Sequence, residues 1–280
     1  MKSKHLISGQ SFIGCILVAL VAGCATPAAR LNKAIRTNDY EAVARQLSTG
    51  IDINASGNLY STPLITAIHY QNRDIVKLLL ENGADPNKAD REALEPLKEA
   101  VKLKDYEIVR LLLNGGADPT QGECDALYVA IETIADDVMV KLLVNNGADL
   151  HKKHVYDVLT YKEAQDTFAE LQPHTGQAAE LSSSIVMTGS ALFVAVSKGY
   201  NDIAEVLLER GADIDEIDNY GRTPLMIAVI YNQKNTAKLL LNYKPDLSLK
   251  NQAENALHYA IEHKSDDIAD MLKNVIEKTI

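Results

Sequence analysis

One tripeptide, Gly-Ala-Asp, returns at a nearly constant spacing and constrains the fold of this chain more than any other feature. It occupies residues 83–85, 116–118, 147–149 and 211–213, at offsets of 33, 31 and 64 residues, each time just after a Leu-Leu pair. A fixed period of this length indicates stacked structural units that contact mainly their neighbours. The chain is therefore predicted to form a solenoid, an architecture that favours binding another macromolecule over chemistry on a small one.

A second set of anchors runs in step with the first. Thr62-Pro63-Leu64 and Thr223-Pro224-Leu225 are examples, and Pro is well tolerated at the first position of a helix. Each anchor leucine is followed three residues later by a small alanine, which lets neighbouring helices pack closely: Ala67, Ala100, Ala130, Ala195, Ala228 and Ala260. Glycine after the second helix suits the left-handed residue that ends a helix. The predicted unit is turn, helix, turn, helix.

These residues carry a family resemblance. The run from Thr62-Pro63-Leu64 and Ala67 through Leu78-Leu79 to Gly83-Ala84-Asp85-Pro86-Asn87 resembles an ankyrin repeat, as does 219–225 with Leu239-Leu240. The resemblance implies an all-α ankyrin-repeat solenoid of about seven helix-turn-helix repeats, with repeats 1–4 in residues 31–150 and repeats 5–7 in 189–280. We number the repeats from their predicted starts near Leu31, Ala55, Lys88, Gln121, Thr188, Glu216 and Lys250.

The array is interrupted once, in the turn between repeats 4 and 5. Asp149 and Ser190 lie 41 residues apart, whereas Asp85 and Glu95 lie 10 apart. We assign 151–188 to an insertion with a short helix at 161–171 and a loop at 173–184; a decayed extra repeat is the alternative. Insertions in repeat proteins often lie on the binding face, so this segment could reach over a partner. A plain spacer is the other reading.

The N-terminus suggests export. Lys2 and Lys4 precede an apolar run at 12–22 that is too short to span a bilayer but typical of a signal peptide. Residues 20–24, Leu-Val-Ala-Gly-Cys, resemble the lipobox of bacterial lipoproteins. That resemblance implies a lipoprotein signal peptide at 1–23, a lipidated Cys24 and a short tether at 24–30. Ala25 in place of Asp implies sorting to the outer membrane, facing the periplasm.

Charge and cysteine content narrow the partner class. The formal charge is −10, or −12 without residues 1–23, which disfavours nucleic acid and would suit a basic protein partner. The general solubility of a repeat protein is the alternative explanation of this charge. Cys124 is the one cysteine beyond Cys24, so no internal disulfide is expected; we interpret it as a packed thiol. We expect the free protein to be a monomer.

Motifs for catalysis are lacking. There is no Gly-x-Ser-x-Gly, no phosphate-binding Gly-x-x-x-x-Gly-Lys and no His-Glu-x-x-His. His151 and His154 with Asp157 could hold a transition metal on a helix, but a fixed fourth ligand is missing. We therefore predict no enzyme activity, no cofactor and no metal. His258 stands at the position where the family has a structural histidine.

Partner-binding residues follow from the register of the resemblance, which points the turn tips and the ends of the first helices into the binding groove. The predicted set is Leu59, His69, Tyr70, Lys102, Glu132, Lys198, Tyr220, Arg222, Ile230 and Tyr231. Neighbouring candidates are Asn58, Ser61, Leu103, Thr133, Ser197, Asn219, Glu262 and His263. Tyr70, Tyr220, Arg222 and Tyr231 are expected to dominate the binding energy, because Tyr and Arg most often do so at interfaces.

Three functions remain open on these grounds. The first is an immunity protein that blocks a toxin delivered to the periplasm, since acidic ankyrin-repeat lipoproteins resemble the partners of secreted phospholipase effectors. The second is a scaffold or adaptor for an envelope assembly or secretion machine. The third, an enzyme that uses the histidines of the insertion, is the most remote.

Overall fold

The described residues fold into helix pairs that belong to two compact bodies. In a computed structural model, residues 26–56, 61–122, 125–158, 186–251 and 255–279 are described. The N-terminal body extends to Asp118 and the C-terminal body begins at Pro119. Among the described residues, no helix is long and apolar enough to cross a membrane.

The N-terminal body contains the helix pairs of repeats 1–3. Its helices are α1 (Pro27–Arg36), α2 (Tyr40–Leu47), α3 (Pro63–His69), α4 (Arg73–Glu81), α5 (Pro96–Lys102) and α6 (Tyr106–Asn114). The first helices pack on one another in the order α1, α3, α5, and the second helices in the order α2, α4, α6. Helix α1 begins at Pro27, capped by Thr26, so part of the segment 24–30 that was assigned to a tether is helical.

The described residues of the C-terminal body form repeats 4–7 and one strand pair. Its elements are α7 (Ala126–Val129), a π-helix (Ala130–Ile134), α8 (Asp137–Asn145), β1 (His154–Val158), β2 (Val186–Gly189), α9 (Ala191–Lys198), α10 (Asn201–Glu209), α11 (Pro224–Ile230), α12 (Lys234–Asn242), α13 (Ala256–Glu262) and α14 (Asp266–Thr279). Helices α9, α11 and α13 stack in that order, and α10, α12 and α14 stack beside them.

The predicted anchors have the expected structural roles. Pro63, Pro96 and Pro224 each begin a first helix, and the Thr62 side chain accepts a hydrogen bond from the Ile65 amide at 3.3 Å. All six alanines that follow the anchor leucines are completely buried. Their small side chains therefore set the close approach of one first helix to the next.

Each repeat reverses direction between its two helices through one left-handed residue. The seven are Asn38, Gln71, Lys104, Ala135, Gly199, Asn232 and Lys264. Repeat 5 alone uses glycine there, whereas the other six adopt a conformation that costs an L-residue about 1–2 kcal/mol. After the second helix, glycine fills the equivalent role in five repeats, and Lys244 takes it in repeat 6 with a φ of 56°.

Polar side chains join the turns of consecutive repeats. The Asn54 side-chain oxygen accepts from the Asp85 amide at 2.9 Å, and Asn87 accepts from the Asp118 amide at 2.7 Å. In the C-terminal body, Asp215 accepts from the Asp246 amide at 2.8 Å. These bonds recur near the period of the repeat and fix the register of neighbouring turns.

Candidate partner-binding surfaces

In the N-terminal body, the predicted residues His69 and Lys102 meet on one carboxylate. Glu99 Oε2 lies 3.0 Å from His69 Nε2, and Glu99 Oε1 accepts from Lys102 Nζ at 2.7 Å. Burial acts to raise the pKa of Glu99, but the hydrogen bonds and charges of His69 and Lys102 outweigh it and hold that pKa below its usual value. Glu99 was not predicted from the sequence, although its position one turn before Lys102 on α5 could have suggested it.

Two large apolar side chains stand beside this network. Tyr70 and Leu103 cap the C-termini of α3 and α5, and they are 41% and 37% exposed. They occupy equivalent positions in repeats 2 and 3, whose first helices pack together. The structure therefore brings the predicted residues His69, Tyr70 and Lys102 onto one accessible surface.

In the C-terminal body, Glu132 lies in the π-helix of repeat 4. In repeat 2 the cap Asn72 comes ten positions after the cap Thr62, whereas in repeat 4 Asp136 comes eleven positions after Asp125. The π-helix accommodates this extra residue within the first helix, in the manner of the single-turn π-bulges found in α-helices. The widened turn contains Glu132, whose carboxylate pairs with Lys198 of α9 at 3.2 Å.

Arg222 does not have the exposed position that was predicted for it. Its side chain is 1% exposed and ion-paired with Asp218, which is fully buried, through Nη2 at 2.6 Å and Nε at 2.9 Å from one carboxylate oxygen. The other oxygen accepts from the amides of Tyr220 and Arg222 at 2.8 and 2.9 Å. Arg222 therefore stabilises the turn of repeat 6 and has almost no surface to offer a partner.

Tyr220 packs over this buried pair and remains partly exposed. The Arg222 guanidinium lies 4.9 Å from the centre of its ring. Burial raises the pKa of Tyr220, and the nearby Arg222 charge opposes that rise. Ile230 and Tyr231, at the end of α11, are half-buried, so of the four residues expected to dominate binding Tyr70 is the most accessible.

The last repeat presents polar groups near the end of α13. Glu262 is exposed at the end of α13, and the His263 ring stacks on Tyr259 at 6.1 Å. His258, expected to be structural, is exposed. The buried residue is its neighbour Tyr259, whose hydroxyl accepts from the Asn251 side chain at 3.0 Å.

The insertion begins and ends as an antiparallel strand pair. β1 pairs with β2 from His154 with Gly189 to Val158 with Val186, with an irregularity after Val155. Neither strand was predicted, and the assignment of 151–188 to an insertion, with a decayed repeat as the alternative, stays a prediction. The predicted helix at 161–171 and the loop at 173–184 lie outside the described residues.

The hairpin base, meaning Lys152, Lys153 and the strand pair β1–β2, is held by repeats 4 and 6. Lys152 Nζ donates to the carbonyls of Thr120, at 2.8 Å, and Gly122. On the other side, Lys153 Nζ donates to the Ile217 carbonyl at 3.2 Å. The Thr188 amide donates to the Asn219 side chain at 2.8 Å. Asn219, a predicted binding residue, is thus engaged by the insertion.

The two histidines considered as metal ligands lie in different environments. His154 lies on β1, not on a helix, and is buried against the Tyr128 ring at 4.9 Å, with Nε2 3.5 Å from the buried Asp125 carboxylate. His151 is exposed in the preceding bend. Within the part of the chain that the structure describes, no three His, Cys, Asp or Glu side chains form a group suited to a metal.

Several predicted residues lie outside the described residues. They are the lipidation site Cys24, the turn residues Asn58 and Leu59, and the remaining thiol Cys124.

Comparison with known proteins identifies the repeats. The family model described as ankyrin repeats in three copies matches residues 31–123, 175–251 and 192–280. The chain is 32% identical over 111 residues to an ankyrin repeat protein of Rickettsia bellii, which covers 39% of this chain and 44% of that protein. It is 34% identical over 142 residues to the B-cell lymphoma 3 protein homolog of Mus musculus, over 48% of this chain and 32% of that protein. The chain thus spans less than half the length of these curated relatives.

A solved structure agrees with the predicted architecture. The ankyrin repeat domain of Bcl-3, described as a unique member of the IkappaB protein family, matches with a TM-score of 0.66 and 24% identity. The match covers 87% of this chain and 97% of that domain. At this identity the likeness concerns the fold alone, and it confirms the predicted all-α ankyrin-repeat class.

Proposed function

We propose a function from one premise: this chain belongs to the ankyrin-repeat family. Ankyrin repeats serve protein–protein interaction, and the fold is typically a non-enzymatic scaffold for it. Within that role, we propose an envelope lipoprotein that acts as an immunity protein, binding and blocking a phospholipase-type toxin delivered to the periplasm.

The observation that most supports a plugging role is the attachment of the insertion. The hairpin base is fixed by hydrogen bonds from Lys152, Lys153 and Thr188 to the turns of repeats 4 and 6. The two ends of residues 159–185 are therefore held at fixed positions by the paired strands. We assign residues 159–185 to contact with the toxin.

The position of the first helix supports action at the membrane surface. If Cys24 is acylated, only Ala25 and Thr26 separate the lipid from α1, which begins at Pro27. Two extended residues reach roughly 7 Å, so the N-terminal body would lie against the bilayer. A membrane-attacking enzyme would be met where it acts, at the outer membrane on its periplasmic side.

The test replaces residues 159–185 and keeps the hairpin base. Because Val158 and Val186 are paired, an Asn-Gly turn in place of 159–185 would close β1 and β2 as a tight hairpin. The tagged full chain, this shortened variant and a variant with 159–185 scrambled are used to capture partners from envelope and secreted fractions. The scrambled variant controls for length and composition.

Capture of one lipid hydrolase by the parent chain, lost in both variants, together with inhibition of its activity by the parent chain, would support the immunity function. Equal capture of envelope structural proteins by all three chains would refute it and leave the alternative, a scaffold or adaptor for an envelope assembly or secretion machine.

Membrane attachment has a separate test. Cys24→Ser should abolish acylation and release the protein from the membrane fraction. Ala25→Asp should redirect the acylated protein to the inner membrane. Unchanged fractionation of both variants would refute the lipoprotein proposal without bearing on partner binding.

A further inference from the structure

The last residues of the three first helices in the N-terminal body form a column of basic side chains. Arg36, His69 and Lys102 end α1, α3 and α5, and they are spaced by 33 residues, one repeat each. Packing of α1 on α3 and of α3 on α5 places them in consecutive layers. Arg36 and His69 are partly exposed and Lys102 is exposed.

A second column, at the next position of each repeat, supplies apolar contact area. Tyr70 and Leu103 are both exposed by more than a third, and Thr37 takes this place in repeat 1. Beyond it, Lys104 is exposed in the left-handed turn of repeat 3. Here the basic strip means Arg36, His69, Tyr70, Lys102, Leu103 and Lys104.

Two carboxylates next to the strip are mostly buried and already paired. Glu99 is 12% exposed and held by His69 and Lys102, and Asp105 is buried, where it caps α6 and pairs with Arg73. Asp39, the cap of α2, is the exposed carboxylate at the repeat 1 end. Between repeats 2 and 3 the strip therefore presents Lys104, Lys102 in its ion pair with Glu99, and two apolar side chains. The formal charge of the whole chain is −10.

We propose that the basic strip binds an extended, acidic segment of a protein partner. Neighbouring packed helices lie about 8–10 Å apart, and an extended chain rises about 3.3 Å per residue. One repeat therefore matches about three residues of the ligand. The recognised pattern is an acidic residue at every third position, with apolar side chains between them for Tyr70 and Leu103.

This inference rests on the proposed role in protein binding and names the chemistry of one partner segment. It differs from the expectation drawn from net charge, which favoured a basic partner. The difference arises because short-range contacts are set by local charge, while exposed charges more than about 8 Å away are screened at physiological ionic strength.

The direct test uses fluorescein-labelled nine-residue peptides and fluorescence anisotropy with the full chain. The acidic peptide carries Glu at every third position and Leu at the positions between. The basic peptide, its matched control, carries Lys in place of each Glu. The variants are Lys102→Glu and Leu103→Ser. The control is Lys77→Glu, which makes the same charge change on α4, outside the basic strip. Lys77 is exposed, and its Nζ lies 3.9 Å from Glu81 Oε1.

We expect the acidic peptide to bind and the basic peptide not to bind. Lys102→Glu should weaken binding at least about tenfold, Leu103→Ser should weaken it severalfold, and Lys77→Glu should leave it within about twofold of the parent. Affinity should also fall with added salt. No binding of the acidic peptide, preference for the basic one, or equal affinity of Lys102→Glu and Lys77→Glu would overturn the proposal.

The partner capture described above separates this inference from the proposed function. If Lys102→Glu retains the captured partner as well as the parent chain does, the strip is not its binding surface, while the immunity function stands. If the strip variants lose a partner that is not a toxin, the strip proposal stands and the immunity function fails.

Discussion

Breaking the buried ion pair of repeat 6 should destabilise the protein by several kcal/mol. Arg222 and Asp218 are 1% and 0% exposed, and in this buried site the guanidinium and the carboxylate compensate each other's charge. Removing one member of such a pair typically costs about 3–5 kcal/mol, because the partner is left charged in a site that water does not reach.

The two members should not be equivalent. Asp218→Ala removes two bonds from the guanidinium and two from backbone amides, and it removes the carboxylate that pairs with the buried guanidinium. Arg222→Met leaves the carboxylate still accepting the two amide bonds and fills most of the volume. We therefore expect about 4–5 kcal/mol for Asp218→Ala and about 3 kcal/mol for Arg222→Met.

Urea unfolding followed by circular dichroism measures these changes in the free energy of unfolding, and the double variant completes the cycle. The double variant should be less destabilised than the sum of the two single variants by about 1–3 kcal/mol, since neither charge is then left alone. Amide hydrogen exchange over residues 216–232, compared between the parent and the variants, shows whether the loss of stability lies in repeat 6. A cost below about 1 kcal/mol for Arg222→Met, or additive single variants, would refute the structural role of the pair.

Three further substitutions test the packing, the hairpin base and the charge network. Ala228→Leu should cost at least about 1–3 kcal/mol by overpacking the fully buried contact between first helices, as measured by urea unfolding. Gly189→Ala should cost a similar amount in the same assay, because the added Cβ would lie 2.6 Å from the buried Phe193 side chain. Since the pKa of Glu99 is lowered on folding, its stabilisation is present above its unfolded pKa of about 4.3 and is lost as the pH falls through the folded value. The difference in unfolding free energy between Glu99→Gln and the parent should therefore shrink between about pH 6 and pH 3; a constant difference would contradict the assignment.

The repeat architecture could be predicted because its determinants are local and recur. Thr62 and Pro63 begin α3, Ala67 packs against the neighbouring helices, and Gly83 supplies the left-handed residue after α4. Each of these effects needs only a few adjacent residues and the same unit on either side. The period alone thus sufficed for the fold class and for the positions of the first-helix ends that form the basic strip.

The environments of individual site residues could not be predicted in the same way. Register placed Arg222 on the binding surface, but the fold buries it on Asp218, four residues earlier in the same turn. The extra residue of repeat 4 became a π-helix around Glu132, and sequence spacing did not indicate which element would absorb it. Whether a side chain is solvated or paired with a neighbouring group depends on the packed surroundings of that residue. A repeating sequence pattern does not specify these surroundings.

The sequence by itself determined the helix pairs, their order and the place of the insertion, because repeating local preferences and small buried alanines leave few other ways to stack. The tertiary structure alone decided that the insertion starts and ends as paired strands held by Lys152 and Asn219, that Arg222 is buried and that His69 and Lys102 share Glu99. Most of these contacts join residues about 30 or more positions apart, and their energies exist only once the repeats are packed.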